Sequence, residues 1–186
     1  MARRPALIYA RLSGWGRSGP RAARAGHDLV YAGVTGAVYP VGHADRPPVP
    51  PLAYVGDVAG GAIYASAVVA AVLASRSTGR GAIVDSSLLE LAAYATTPFR
   101  GLVAEGRWSD SRSANLLDGG APFYAVYETA DGRYLAVGAL EPSFYRAFLV
   151  GLGIPEARLD EWPQHDTARW PEQRRSVASI IGSRTS

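Results

Sequence analysis

The stretch Asp45-Arg46-Pro47-Pro48-Val49-Pro50-Pro51-Leu52-Ala53-Tyr54-Val55-Gly56-Asp57-Val58-Ala59-Gly60-Gly61 decides the fold. Its first half is a proline run. Proline has no N–H and a fixed φ, so the run cannot lie inside a helix. Its second half, Gly56-Asp57, leads at once into residues 58–73, which are apolar, rich in alanine and free of proline. The stretch therefore reads as a rigid extended approach, an acidic helix start and a buried helix. Unpaired N–H groups and the helix dipole favour negative charge at such a start. Asp57 reads either as a plain N-cap or as a carboxylate presented for chemistry, and the stretch alone leaves both open.

Upstream, residues 7–12 read as a buried strand. They run into the glycine-rich turn of residues 13–20, whose spacing is not that of a dinucleotide fingerprint. With little chain ahead of it, this strand is expected to find its sheet partner outside the chain. Residues 21–32 are expected to form a short helix containing Gly26-His27-Asp28 and then Leu29, Val30 and Tyr31. Downstream of the long helix, arginine and glycine signals at residues 76–81 mark its end. Residues 82–85 read as a short strand and residues 86–97 as a helix stopped by Pro98. This alternation predicts an α/β layer architecture.

The composition changes after Phe99. Residues 107–120 are polar and irregular. Residues 123–128 and 133–139 read as two strands joined through Thr129-Ala130-Asp131-Gly132, a strong hairpin signal. Pro142 suits the first turn of a helix over residues 143–150. Residues 151–170 are expected to be a loop, and Pro171 to open a last helix that runs to Ile181. A boundary near residues 100–120 divides the chain into regions 1–110 and 111–186.

The bulk numbers narrow the function classes. The chain has 186 residues, 48% hydrophobic and 19% charged, which is globular rather than disordered. Without cysteine there is neither a disulfide nor thiolate chemistry. All 19 basic residues are arginine, so Schiff-base and P-loop lysine chemistry are excluded. The arginines are scattered, which gives no nucleic-acid-binding stripe. The apolar run at residues 7–10 is too short for a secretory leader. The run at residues 62–74 carries Tyr64 and Ser66 and falls short of a membrane span. A cytoplasmic protein that engages no membrane is the expectation.

His27, Asp57 and Glu141 are ionisable residues at element edges. His27 and Asp57 suit an acid/base pair, provided that both face one reacting carbon. Gly60 and Gly61 place N–H donors beside Asp57, where a developing enolate oxygen would be stabilised. Plainer readings compete: a hydrogen-bonded structural histidine, and for Glu141 a helix-start acid before Pro142. His27, His43 and His165 lack metal-ligand spacing. No G-x-S-x-G elbow supports a serine hydrolase.

The ordered motifs carry a resemblance that covers nearly the whole chain. They are Tyr9-Ala10-Arg11-Leu12-Ser13-Gly14-Trp15-Gly16, Ala25-Gly26-His27-Asp28-Leu29-Val30-Tyr31, Asp45 to Leu52, Val55-Gly56-Asp57, Ala114 to Pro122, Asp131-Gly132-Arg133-Tyr134 and Gly138 to Pro142. Together they resemble the α-methylacyl-CoA racemases of the family III CoA-transferase (CaiB/BaiF) superfamily. The resemblance implies an α/β fold: an incomplete nucleotide-fold large lobe plus part of a small α+β lobe. It implies that His27 and Asp57 are catalytic bases on opposite faces of the substrate α-carbon, and that Glu141 supports the histidine. It implies that Gly26, Asp28, Leu29, Val30 and Tyr31 line the acyl-CoA site, and that Tyr124 is an active-site tyrosine.

The implied reaction is 1,1-proton transfer on a 2-methylacyl-CoA thioester in fatty acid metabolism. No metal or redox cofactor takes part, and CoA belongs to the substrate. The implied assembly is an interlocked homodimer. In the transferase branch, by contrast, the aspartate at position 57 is an acyl-accepting nucleophile, and a Gly-His-Asp triplet favours the racemase branch. Two departures stand out. Ala53 replaces a frequent asparagine. The family's first strands and its return to the large lobe also lie beyond the matched part, so the chain is expected to be a central fragment. An inactive remnant is the third reading.

Overall fold

A computed structural model describes residues 4–186. Met1-Ala2-Arg3, part of the basic start, lies outside the described residues. The chain forms two compact units. The first runs up to Val41 and again over Pro47–Trp108. The second joins Gly42–Arg46 to Ser109–Ser186.

In the first unit, strand β1 (Ile8–Ser13) pairs in parallel with strand β2 (Ala82–Ser87), in the register Ile8↔Ala82 to Ser13↔Ser87. The sheet partner expected from outside is therefore supplied by this chain. Arg11 faces Asp85 in that register, and their side chains form an ion pair at 2.5 Å. The crossover carries helix α1 (Asp28–Val34), a π-helical turn (Tyr54–Ala59) and helix α2 (Gly60–Thr78). Residues 21–27 are not helical, which corrects the expectation of a helix from Arg21. His27 has extended dihedrals and begins α1 as its N-cap.

The helical stretch Tyr54–Thr78 is continuous over 25 residues. Its most apolar 18-residue window has a mean hydropathy of 1.9, so the stretch is long and apolar enough to cross a membrane. That corrects the reading of residues 62–74 as too short, because helix extends on both sides of the apolar run. Only 11% of the most apolar window is buried. Length and composition are shared by spans and core helices alike, so they assign no membrane.

After β2, helix α3 (Leu88–Ala95) starts at a capping box. Ser87 Oγ accepts from Glu90 N at 3.1 Å, and the Glu90 carboxylate accepts from Ser87 N at 2.8 Å. Pro98 does not merely stop a helix. It lies in the first turn of a new one, α4 (Thr97–Ala104), where its missing N–H has no partner to lose.

The second unit has its own core. Strands β3 (Tyr124–Glu128) and β4 (Tyr134–Gly138) form an antiparallel hairpin. Helix α5 (Pro142–Gly151), a 3₁₀ turn (Glu156–Glu161) within the expected loop, and helix α6 (Trp170–Gly182) complete it. Phe123 is fully buried at the centre. Its ring meets Tyr145 edge-on at 5.2 Å and Trp170 at 5.9 Å. Gly42–Arg46 is tied to this unit by Arg112, which donates to the carbonyls of His43 and Arg46, and by the Ser113 hydroxyl, which donates to Gly42 O.

Tyr127 and Tyr145 are both buried, and burial pushes each phenol up to about 12. The Tyr127 hydroxyl donates to Pro122 O, whereas the Tyr145 hydroxyl has no partner. Two substitutions should therefore diverge. Phe123→Ala, which opens a cavity, should lower stability by about 3–5 kcal/mol. Tyr145→Phe, which removes a buried unpaired hydroxyl, should be neutral or add up to about 1 kcal/mol. Urea unfolding followed by tryptophan fluorescence measures both.

Candidate active site

The first unit holds the histidine and the aspartate that the sequence singled out. The loop before His27 is fixed by Tyr31. That ring is buried, meets Trp15 edge-on at 4.8 Å and lies against Gly14 and Gly26, where no side chain would fit. Trp15 Nε1 donates to Ala25 O at 3.3 Å. Glycine at 26 is thus explained by close packing. Tyr31 packs into this loop and is only 2% exposed, so little of its ring is open to a ligand.

His27 is exposed and its side chain caps nothing. Its carbonyl accepts from Val30 N at 2.9 Å and Tyr31 N at 3.3 Å, so its backbone is set by α1 while its ring stays free of the helix. Leu29 and Val30 follow, each 48% exposed.

Asp28 points the other way. It is 3% exposed, and its Oδ1 accepts from Gly56 N at 2.5 Å and Asp57 N at 3.2 Å. A Cβ at position 56 would fall on that carboxylate oxygen, so only glycine permits the approach. One buried side chain therefore joins the helix start behind His27 to the turn that carries Asp57.

That turn is irregular. Leu52 and Ala53 have φ of 53° and 59°, left-handed conformations that residues other than glycine, asparagine or aspartate adopt at a cost of about 1–2 kcal/mol each. A π turn follows, with Val58 N donating to Ala53 O and Gly60 N reaching back to Val55 O. Asp57 consequently lies inside a helical turn and is not its N-cap. The capping carboxylate is supplied by Asp28 instead. Asp57 is exposed, and its side chain is left uncommitted to the helix.

The expected donors at Gly60 also change. The Gly60 N–H is taken by the carbonyls of Asp57 and Val55, and the missing side chain admits Leu91 of α3, whose Cβ would lie 2.8 Å from a Cβ there. The structure thus gives Gly60 a helix-packing role.

Tyr124 and Glu141 belong to the second unit. Glu141 is the exposed N-cap residue of α5, and its carboxylate makes no cap bond. Tyr124 is half-buried and lines a groove of about 780 Å³ with His43, Ser113, Asp118 and Arg174. Beside it, Asn115 and Asp118 form a polar knot. Asp118 accepts from the Asn115 and Gly120 N–H groups at 2.8 and 3.0 Å, and the Asn115 amide donates to the carbonyls of Ser109 and Ser111. The Asn-Leu-Leu-Asp-Gly-Gly motif therefore shapes its loop. Among the described residues, no three histidine, aspartate or glutamate side chains gather as a metal site.

The sequence pattern of CoA-transferase family III matches residues 1–186. The chain is 41% identical over 182 residues to alpha-methylacyl-CoA racemase of Mus musculus, covering 97% of this chain and 47% of that protein. It is 39% identical to the Homo sapiens alpha-methylacyl-CoA racemase, with the same coverage. The solved structure of a CAIB/BAIF family protein from Brucella suis superposes with a TM-score of 0.71 at 26% identity, over 97% of this chain and 47% of that one. The architecture is therefore the mixed α/β fold of these proteins. The chain spans about half the length of the curated relatives that it matches.

The strain at Ala53 yields a test. Ala53→Asn places a residue tolerant of positive φ there and should raise stability by about 0.5–1 kcal/mol, whereas Ala53→Val should lower it. Thermal unfolding of both variants against the parent measures the difference.

Proposed function

On the premise that the chain belongs to CoA-transferase family III, we propose that it carries the two-base centre of a racemase acting on 2-methylacyl-CoA thioesters. The observation that carries this reading is the joining of Gly26-His27-Asp28 to Gly56-Asp57. Two exposed groups of suitable chemistry stand on neighbouring backbone segments that one buried carboxylate holds together. The 41% identity to a racemase supports it.

In this reading one of the pair removes the α-proton. The C–H electron pair moves into the thioester as an enolate, and the other group returns a proton to the opposite face. The thioester acidifies the α-carbon. A histidine and a carboxylate suit the task because each can accept a proton in one direction of the reaction and return one in the other. CoA is part of the substrate, and the chemistry needs no further cofactor. The reading rests on His27 and Asp57, both in the first unit, whereas Glu141 and Tyr124 belong to the second.

The family name also covers acyl transfer, in which Asp57 would attack the thioester carbonyl and form an anhydride with release of the CoA thiolate. The exposed and uncommitted carboxylate of Asp57 fits that step as well. His27 is what separates the two readings.

Deuterium incorporation from D₂O into each enantiomer of a 2-methylacyl-CoA tests the proposal. His27→Ala and Asp57→Ala should each slow racemisation by about 10²–10⁴-fold. Each should retain exchange with one enantiomer only, and with opposite ones. Equal residual exchange with both enantiomers contradicts a two-base centre. A hydroxylamine-trapped adduct on Asp57, with His27→Ala fully active, establishes transfer instead.

A further inference from the structure

We propose that Asp28 is the positioning residue of Asp57: its single buried carboxylate oxygen holds the strained turn in the form that leaves the Asp57 side chain free for reaction. This deepens the two-base reading and rests on it.

Three observations converge on one point. The first is strain. Two consecutive residues with left-handed dihedrals, Leu52 and Ala53, lead into a π turn, and neither arrangement is what the chain adopts by default. Such a segment persists only where its surroundings over-determine it. The second is the constraint. Gly56 N and Asp57 N, which a helix start leaves without partners inside the helix, both donate to Asp28 Oδ1. Gly56 lacks the side chain that would push this oxygen away. The third is isolation. Asp28 is 3% exposed and its Oδ2 makes no hydrogen bond, so the carboxylate's hydrogen bonds to the turn all run through Oδ1.

The division of labour follows. An aspartate at a helix N-cap ordinarily spends its carboxylate on the first N–H groups of its own helix. Here a second aspartate, from another element, meets that need. The positions 26–28 and 56–57 then act as one device. Gly26 and Gly56 give the close approaches, His27 and Asp57 face outward, and Asp28 locks the two backbones in register.

The role predicts that position 28 needs an acceptor oxygen rather than a charge. Two measurements on the 186-residue chain test this. The first requires no activity: backbone amide hydrogen exchange at Gly56 and Asp57, resolved by NMR. Asp28→Ala should accelerate exchange at both amides by at least about tenfold, while Asp28→Asn, which keeps a carbonyl oxygen, should stay within about threefold of the parent. The second is deuterium exchange into each enantiomer of a 2-methylacyl-CoA. Asp28→Ala should slow exchange on the Asp57-dependent face by about 10–100-fold in kcat with little change in KM, more than on the His27-dependent face. Asp28→Asn should recover at least tenfold of that loss.

Unchanged amide exchange in Asp28→Ala overturns the proposal. So does an equal loss on both faces, the mark of a merely structural residue. So does Asp28→Asn that keeps its amide protection yet loses exchange like the alanine variant, since the charge itself would then be acting. Should Asp28→Ala fail to fold, Asp28→Asn decides alone: protected amides and residual exchange on both faces support the role, and freely exchanging Gly56 and Asp57 amides refute it. A parent that exchanges no substrate proton counts against the racemase reading, and the amide measurement still decides whether Asp28 holds Asp57.

Discussion

A carboxylate buried at the start of one short helix takes the amide hydrogens of Gly56 and Asp57 in the turn before the longest one. A buried charge is costly unless hydrogen bonds satisfy it. Two N–H groups and the positive end of a 25-residue helical stretch provide what Asp28 needs. The arrangement is economical in space, because Gly56 lets the oxygen approach the backbone without an intervening side chain. It also sets the orientation of the segments on either side. His27 precedes Asp28, and Tyr31, three residues further on, is wedged against Gly14 and Gly26. The crossover between β1 and β2 is thereby pinned at its beginning and at its middle.

The two units manage their apolar surface in opposite ways. The second closes a core around Phe123, with Leu149, Val177 and Ile181 buried beside it. The first does not. A parallel pair of strands is stable when both faces are covered, yet Tyr9, Leu12 and Ile83 remain exposed. On α2, only Gly60 and Ser75 are buried, while Val69 and Leu73 face outward. The low burial of this unit is a property of its long apolar helix, whose exposed side chains run over most of its circumference.

Much of the element pattern is legible in the sequence, because it follows from local chemistry. The hairpin is written in Asp131-Gly132, and α5 in Pro142. Misreadings occur where a nonlocal contact overrides a local signal. Asp57 is open to an N-cap reading because aspartate before an apolar run ordinarily is one, but Asp28, 29 residues earlier, occupies that place. Pro98 reads as a stop because proline cannot continue a helix, but it opens the next one, which follows almost at once. Residues 21–27 read as helix on propensity, but they stay outside a helix, and the Ala25 carbonyl accepts from Trp15 Nε1 instead of from a helical N–H. For the site, His27 and Asp57 are visible as exposed ionisable residues beside glycines. Their connection is not, since no periodicity or spacing announces a side-chain bond between residues 28 and 57. Ser87-Leu88-Leu89-Glu90 forms a capping box that starts α3 at Leu88, two residues after the expected start at Ser86.

The π turn has a further consequence, for the tolerance of this region to length change. A π turn holds one residue more than an α turn, and each residue in an α-helix advances the chain by about 100° around the axis. Loss of one residue between Tyr54 and Ala59 would let the segment relax into regular α-helix. The cost would appear as phase: everything before the deletion would be turned by roughly a quarter to a third of a revolution against α2. Gly60 is already seated on Leu91 and fixes the phase of α2. Asp57 and the N–H groups that meet Asp28 would therefore be the parts carried round. The extra residue acts as an angular setting, and insertions or deletions here should be far less tolerated than in the proline run a few residues upstream.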